Sequence, residues 1–120
     1  EIYLIFYGYQ RFNFNSIFSR QFKIKKNKLE IIDRIKSNKK IYYQSFFNFK
    51  GQLNFLNDNK IIIITNNKKS YNFCLLDKNI HIDKKQSFYS NKYFIKIPCN
   101  SVYCKKHLQK FNKLKYIMEF

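Results

Sequence analysis

The order of apolar segments along the chain predicts an α+β fold of the ferredoxin-like type, in which a split βαβ unit gives the order βαββαβ. Three observations support this prediction: short strand-like apolar runs, two stretches with helical spacing, and strict alternation near the C-terminal end. A long basic loop is predicted between the two middle strands. The length of 120 residues suits one modest core, so residues 1–120 are interpreted as a single domain.

The first two elements are predicted from an apolar run and a helix-start signal. Residues 2–9 form a continuous apolar run, which is typical of a central strand buried on both faces. Asn27 and Glu30 have the spacing of a capping box, with Asn27 as the N-cap. A helix over 28–38 is therefore predicted, with an apolar face made of Leu29, Ile32 and Ile35.

The second half is predicted to contain several strands and a second helix. Residues 41–59 mix aromatic and turn residues, and both an extra hairpin and an irregular insertion are compatible with them. The apolar face of the second helix carries Cys104, Leu108 and Phe111. The remaining predicted elements are strands at 61–64, 71–75 and 93–97 (ended by Pro98), the helix at 101–112, and a final strand at 114–120.

The net charge indicates a polyanionic partner. Lys and Arg number 24 and Asp and Glu number 7, which gives a formal charge of +17. A magnitude of roughly 2–8 suits a small soluble domain, so a compact chain with this charge repels itself and attracts polyanions. RNA, DNA or an anionic membrane surface is the expected partner. No apolar run approaches the length of about 18 residues that a membrane span needs, so no span is predicted.

The composition also carries a coding bias. Phe, Tyr, Ile, Asn and Lys make up 77 of the 120 residues, and Ala is absent. These five residue types have AT-rich codons, which indicates an AT-rich genome such as that of a mitochondrion. A mitochondrial, organelle-encoded protein is therefore expected. The three cysteines are an odd number and do not form a disulfide framework.

Three short motifs suggest a family. Thr65-Asn-Asn-Lys-Lys-Ser-Tyr-Asn-Phe-Cys-Leu75 is followed by His81-Ile-Asp-Lys-Lys85 and then by Tyr93-Phe-Ile-Lys-Ile97. Together they resemble the NusE-like ribosomal proteins, the tenth family of the small subunit, over roughly residues 60–120. The resemblance implies a βαββαβ core whose long middle loop reaches into the ribosomal RNA of the subunit head. It places His81, Asp83, Lys84 and Lys85 on that loop, near RNA.

The candidate RNA-binding site combines the predicted middle loop with the outer face of the second helix. Cationic side chains there would neutralise crowded phosphates without reading sequence. The chain is accordingly predicted to be a structural constituent of an organellar ribosome. Its expected partners are small-subunit ribosomal RNA and neighbouring ribosomal proteins, with no small-molecule substrate. The site residues are Lys68, Lys69, Lys78, His81, Lys84, Lys85, Lys105, Lys106 and Lys110.

Two other functions remain open. One is an accessory, non-catalytic subunit of a mitochondrial respiratory complex, with its positive charge facing anionic lipid headgroups. The other is a free single-strand RNA-binding module, in which some of the 24 aromatic residues stack on bases.

Neither catalysis nor a bound cofactor is predicted. The seven carboxylates form no recognisable pair, and two glycines are too few for a phosphate-binding loop. Cys99, Cys104 and His107 could supply zinc ligands, but the spacing of Cys99 and Cys104 is wider than that of a compact zinc knuckle, and Cys104 belongs to the apolar stripe of the second helix. The chain is therefore expected to be a non-enzyme without a metal site.

Overall fold

The computed structural model describes residues 2–6, 16–77, 80–90 and 92–120, with the side chains of 3–6 and 106–111 outside the description. These residues form eight strands in one antiparallel sheet that curls into a half-barrel. The strands are β1 (Ile2–Phe6), β2 (Ile17–Lys25), β3 (Lys28–Phe49), β4 (Gln52–Asn57), β5 (Lys60–Ile64), β6 (Ser70–Leu75), β7 (Ile82–Tyr89) and β8 (Ile97–Glu119).

Two long strands form the spine of the sheet. β3 and β8 pair antiparallel over nearly their full lengths, from Lys28 opposite Glu119 to Phe49 opposite Asn100, with one register shift between Ser37 and Ile41. The strand order is β1-β2-β3-β8-β6-β5-β4, and β7 pairs with β8 off this path. β8 therefore joins two halves of the sheet, the strands before residue 50 and the strands after it.

Alternation along the strands separates an inner face from an outer face, since successive side chains of a strand point to opposite sides. Among the described side chains, the odd-numbered residues of β3 and the even-numbered residues of β8 lie on the inner face, which the curled sheet encloses. The buried core on this face consists of Ile31, Ile35, Tyr43, Leu53, Ile61, Ile63, Phe73, Leu75, Ile80, Ile82, Val102, Cys104, Leu114 and Tyr116.

A glycine makes the sharp turn from β3 into β4. Gly51 has φ +145°, a conformation that side chains rarely adopt, and a Cβ placed there would lie 2.3 Å from the carbonyl oxygen of Ile64. The Gly51 carbonyl accepts a hydrogen bond of 2.8 Å from the Asn100 side chain on β8. Glycine therefore lets β4 start close to the backbone at the end of β5.

The predicted ferredoxin-like α+β fold is wrong, because both predicted helices are strands. Residues 28–38 belong to β3 and residues 101–112 to β8. Asn27 lies in the two-residue turn between Lys25 and Lys28, which are paired, so the supposed helix cap is a hairpin turn. The β-branched residues Ile31, Ile32 and Ile35 favour a strand, and their cross-strand packing decides the outcome.

Several other element predictions need correction. The strands at 61–64 and 71–75 are confirmed as β5 and β6. Of the predicted strand at 114–120, residues 114–119 form the end of β8, and Phe120 follows it. The predicted strand at 93–97 is instead an exposed turn up to Lys96, and Pro98 lies inside β8 rather than ending a strand. Residues 41–59 form the second half of β3 and the strand β4, so part of them makes a hairpin with β5.

The first strand also differs from its prediction. β1 lies at one end of the strand order, not in the middle of the sheet, and residues 7–9 of the predicted strand fall outside the described residues. Among the residues described, none forms a helix of the length and apolarity that a membrane crossing requires.

Candidate functional site

A buried polar network lies on the inner face where β2, β3 and β8 meet. Arg20 of β2 is directly opposite Asp33 of β3, and its Nε and one terminal nitrogen donate to the two carboxylate oxygens at 2.6 and 2.7 Å. The same terminal nitrogen donates to the Ser45 hydroxyl at 3.0 Å. The Tyr43 hydroxyl donates to Asp33 at 2.5 Å and lies 3.3 Å from the Tyr116 hydroxyl.

The protonation states of this network suit packing better than proton transfer. Burial raises the pKa of Tyr116 and Tyr43 well above the ordinary tyrosine value, and it also raises the pKa of the Cys104 thiol. Burial lowers the pKa of Arg20, but the hydrogen bonds and charge of Asp33 outweigh this, so its pKa is raised overall. Two neutral hydroxyls, a neutral thiol and a closed ion pair offer neither a base nor a nucleophile.

A cavity of about 510 Å³ opens beside the network, between β2 and the second half of β3. Arg20 and Lys40 are its cationic lining residues, and Phe18, Ile41 and Tyr43 supply apolar walls. The guanidinium of Arg20 also lies over the rings of Phe18 and Phe47, at 5.7 and 5.1 Å from their centroids. Because Asp33 neutralises Arg20, the cavity floor is a weak site for an anion.

The outer face of β2, β3 and β8 is strongly cationic. The register of these strands brings seven basic side chains to one side of the sheet, together with the carboxylates of Glu30 and Glu119. We call this surface the cationic face. Its basic residues are Lys23, Lys25, Lys28, Arg34, Lys36, Lys113 and Lys115.

Glu30 organises the centre of the cationic face. Its carboxylate lies 2.9 Å from the Lys28 ammonium, 3.0 Å from that of Lys115 and 3.5 Å from that of Lys25. Hydrogen bonds from Lys28 and Lys115 lower the pKa of Glu30 to about 2. One carboxylate thus gathers three ammonium groups, which leaves the cluster with a surplus of positive charge.

The long basic side chains of the cationic face also cover an apolar residue. Ile32 lies on this outer face, directly opposite Lys115, and is only 5% exposed. The Arg34 guanidinium donates to the Gln21 side chain of β2 at 2.9 Å. Alkyl stems packed along the sheet, with charged ends in water, account for a buried isoleucine beneath a charged surface.

The structure distributes the predicted RNA-binding residues over separate parts of the sheet. Lys68 and Lys69 are exposed in the turn between β5 and β6, and Lys68 has φ +58° there. The exposed His81 precedes β7, with Nδ1 3.3 Å from the Asp58 carboxylate. Lys78 lies outside the described residues.

The other predicted RNA-binding residues lie on strands, where a loop and a helix were expected. Lys84 and Lys85 are exposed neighbours on β7, so their side chains point to opposite faces. Lys105 is exposed on the outer face of β8. Lys106 and Lys110 belong to the same strand, and their side chains are not described.

The cysteines do not converge with a histidine in the described part of the chain. Cys99 and Cys104 are five residues apart on β8, which directs their side chains to opposite faces. Cys104 packs in the core and lies 3.1 Å from the Tyr116 hydroxyl. The described residues contain no group of three or more side chains suited to hold a metal.

The sequence analysis missed the cationic face because it assigned residues 28–38 to a helix. A signal for it was present. Lys23 and Lys25, then Lys28, Glu30 and Arg34, alternate with apolar residues at a period of two on both sides of a two-residue turn. Read as a hairpin, this pattern places these five charged residues on one face.

Comparisons with known proteins find similarity at the level of structure alone. Neither a family model nor a curated protein matches the chain. Among solved structures, heparan sulfate lyase HepC from Pedobacter heparinus matches with a TM-score of 0.74 at 13% identity, over 87% of this chain and 17% of that one. A heparinase III gene product matches with a TM-score of 0.68 at 14% identity, over 86% and 17% of the two chains.

These matches show what fold the chain has. It is similar to a β-sheet portion of two lyases, and it spans only 17% of the length of either. At 13–14% identity this likeness establishes the fold, and it does not assign the activity of those enzymes to the chain.

Proposed function

We propose that the chain is a non-catalytic β-sheet domain that binds an acidic, sulfated polysaccharide of the heparan sulfate class, as part of a polysaccharide-processing protein. The observation that carries this proposal is the cationic face, where seven basic side chains and two carboxylates share one side of three paired strands. The fold that the chain shares with part of a heparan sulfate lyase is our reason for proposing a polysaccharide among the possible polyanions.

The geometry of the sheet suits a linear polyanion. Neighbouring strands lie about 4.8 Å apart, and side chains on one face of a strand repeat about every 7 Å. Lys23, Lys28 and Lys115 therefore belong to an ordered array on three adjacent strands. A chain with sulfate and carboxylate groups along its length can contact several ammonium groups at once, and each contact releases counterions.

Binding is favoured over catalysis by the state of the buried network. Within this network, Tyr43, Tyr116 and Cys104 are the side chains with an acidic proton to give, and burial raises the pKa of each. Asp33 is buried and bound to Arg20. In the proposed role the inner face stabilises the sheet, and the outer face holds the ligand.

The test is a titration of the purified protein with a size-defined heparan sulfate oligosaccharide at several salt concentrations. Replacing the four lysines Lys23, Lys25, Lys36 and Lys113 by glutamine should weaken binding at least about tenfold and flatten the dependence of log K on log salt. The matched control replaces Lys68, Lys69, Lys84 and Lys92, which lie off the cationic face, and removes the same charge. Equal losses in the two variants would contradict a site on the cationic face.

Ribosomal RNA is a second candidate ligand, favoured by the charge of +17 and by the motif at residues 81–85. In this proposal the protein is a structural constituent of a mitochondrial ribosome. The fold implied by the NusE-like resemblance is not the observed one, so the proposal rests on charge and on the motif. It predicts comigration with ribosomal subunits on a sucrose gradient, lost after RNase treatment, and greater damage from the Lys68, Lys69, Lys84 and Lys92 variant than from the cationic-face variant.

A further inference from the structure

An exposed aromatic cluster continues the outer face beyond the cationic face. Phe46 of β3 and Tyr103 of β8 are directly paired, and their rings stack with centroids 5.7 Å apart at an interplanar angle of 27°. Phe46 is 47% exposed, and Tyr42, four residues away on the same face of β3, is 52% exposed. Three aromatic side chains therefore lie on the solvent side of the β3–β8 pair, and two of them, Phe46 and Tyr103, stack on each other.

Polar and basic groups surround the cluster. Gln44 lies between the two exposed rings of β3 and donates weakly to the Tyr42 hydroxyl at 3.5 Å. It is paired with Lys105 of β8, which is exposed on the same outer face. On the other side, the Tyr103 hydroxyl donates to Asp83 of β7 at 3.3 Å, and Lys85 follows on the same face of that strand.

We infer that this aromatic cluster is a stacking subsite for the sugar rings of the acidic polysaccharide, an inference that rests on the proposed function. An aromatic face is electron-rich, and the C–H groups of a pyranose ring carry partial positive charge, so the two attract each other. Phe46 and Tyr103 each keep one ring face that the other does not cover. Lys85 and Lys105 supply positive charge for the sulfate and carboxylate groups of a sugar that lies on the rings.

The position of the cluster explains how one ligand could use both surfaces. β3 and β8 run continuously from the cationic face to the aromatic cluster, with the register shift at residues 37–41 between them. A polysaccharide chain that follows these strands would meet ordered lysines first and aromatic rings next. The cationic face then sets the affinity for charge, and the cluster holds the sugar itself.

The experiment separates the two contributions by their salt dependence. Phe46→Ala should weaken the affinity for a heparan sulfate octasaccharide about three- to tenfold and leave the slope of log K against log salt unchanged, because stacking releases no counterions. Phe46→Leu keeps an apolar side chain without a ring and should lose as much. Phe88→Ala is the matched control, since Phe88 is 54% exposed on the other face of β7 and should bind as the wild type does.

The outcomes are distinguishable. If the wild-type protein fails to bind the octasaccharide, the proposed function itself is overturned. If it binds and Phe46→Ala matches Phe88→Ala, or if Phe46→Leu retains full affinity, the stacking subsite is overturned. If Phe46→Ala weakens binding of single-stranded poly(U) and spares the octasaccharide, the cluster stacks on bases and the sugar assignment is overturned. Thermal unfolding of each variant verifies that it is folded, and Tyr42→Ser provides a second, more exposed replacement with the same expected loss.

Discussion

At the scale of single residues, a few polar side chains fix how the strands meet. Asp33 is fully buried, yet it accepts hydrogen bonds from Arg20 of the neighbouring strand and from Tyr43 further along its own strand. A buried carboxylate is tolerated only when its charge is paired and its oxygens are bonded. Such a residue specifies the register of β2 against β3, because a shift of one position would turn it to the outer face.

Removing the charge of Asp33 should therefore destabilise the fold. Asp33→Asn leaves Arg20 without its partner, and we expect a loss of about 3 kcal/mol in the free energy of unfolding. The control Asp83→Asn changes an exposed carboxylate and should stay within about 0.5 kcal/mol of the wild type. Urea unfolding measures both. A stable Asp33→Asn variant would show that the pair contributes little.

Glu30 gives a pH-dependent prediction. Its pKa falls from 4.5 to about 2 in the folded protein, so the folded state favours the ionised form. The stabilisation by Glu30 is fully present above pH 4.5 and is lost as the pH falls toward 2.

Comparison with Glu30→Gln isolates this contribution from that of other carboxylates. The difference in unfolding free energy between the wild type and this variant should be constant from pH 7 to about pH 5 and should shrink steadily below pH 4.5. A difference that does not change with pH would mean that Lys28 and Lys115 do not bind the carboxylate in solution.

At the scale of secondary-structure elements, a tight turn accompanies a strand where the sequence predicted a helix. The segment Asn27 to Glu30 satisfies the rule for a helix start, but Lys26 and Asn27 form a two-residue hairpin turn. Leu29, Ile32 and Ile35 fit a helical face, while Leu29, Ile31, Asp33 and Ile35 equally fit a strand face. The local pattern left both possibilities open. Pairing with β2 across the hairpin turn, and with β8, which is remote in sequence, selects the strand.

Gly51 provides the prediction at this scale. Gly51→Ala places a Cβ against the Ile64 carbonyl and strains a positive φ, so we expect a loss of at least about 2 kcal/mol in unfolding free energy.

Lys68→Gly is the opposite case. Its φ of +58° suits glycine, and the replacement should raise stability by up to about 1 kcal/mol. Thermal unfolding of both variants checks the signs, and a loss at Lys68 would contradict the strain argument.

At the scale of the whole molecule, charge and core are separated by the sheet. The curled inner face holds the apolar core and the outer face carries much of the charge of +17. The excess charge was evident from composition. The strands β5 and β6 were evident from local pattern, β5 from its run of β-branched isoleucines and β6 from the alternation of Tyr71, Phe73 and Leu75. The sheet topology was not, since the pairing of β3 with β8 joins residues up to about 90 positions apart and leaves no local trace in the sequence.

One further consequence concerns synthesis. β8 follows the other seven described strands in sequence and yet lies between β3 and β6. While the ribosome is still making residues 97–119, the earlier strands can form only two separate meanders, each with an open edge that is prone to aggregate. We expect the nascent chain to need chaperone protection until β8 emerges and pairs with both meanders.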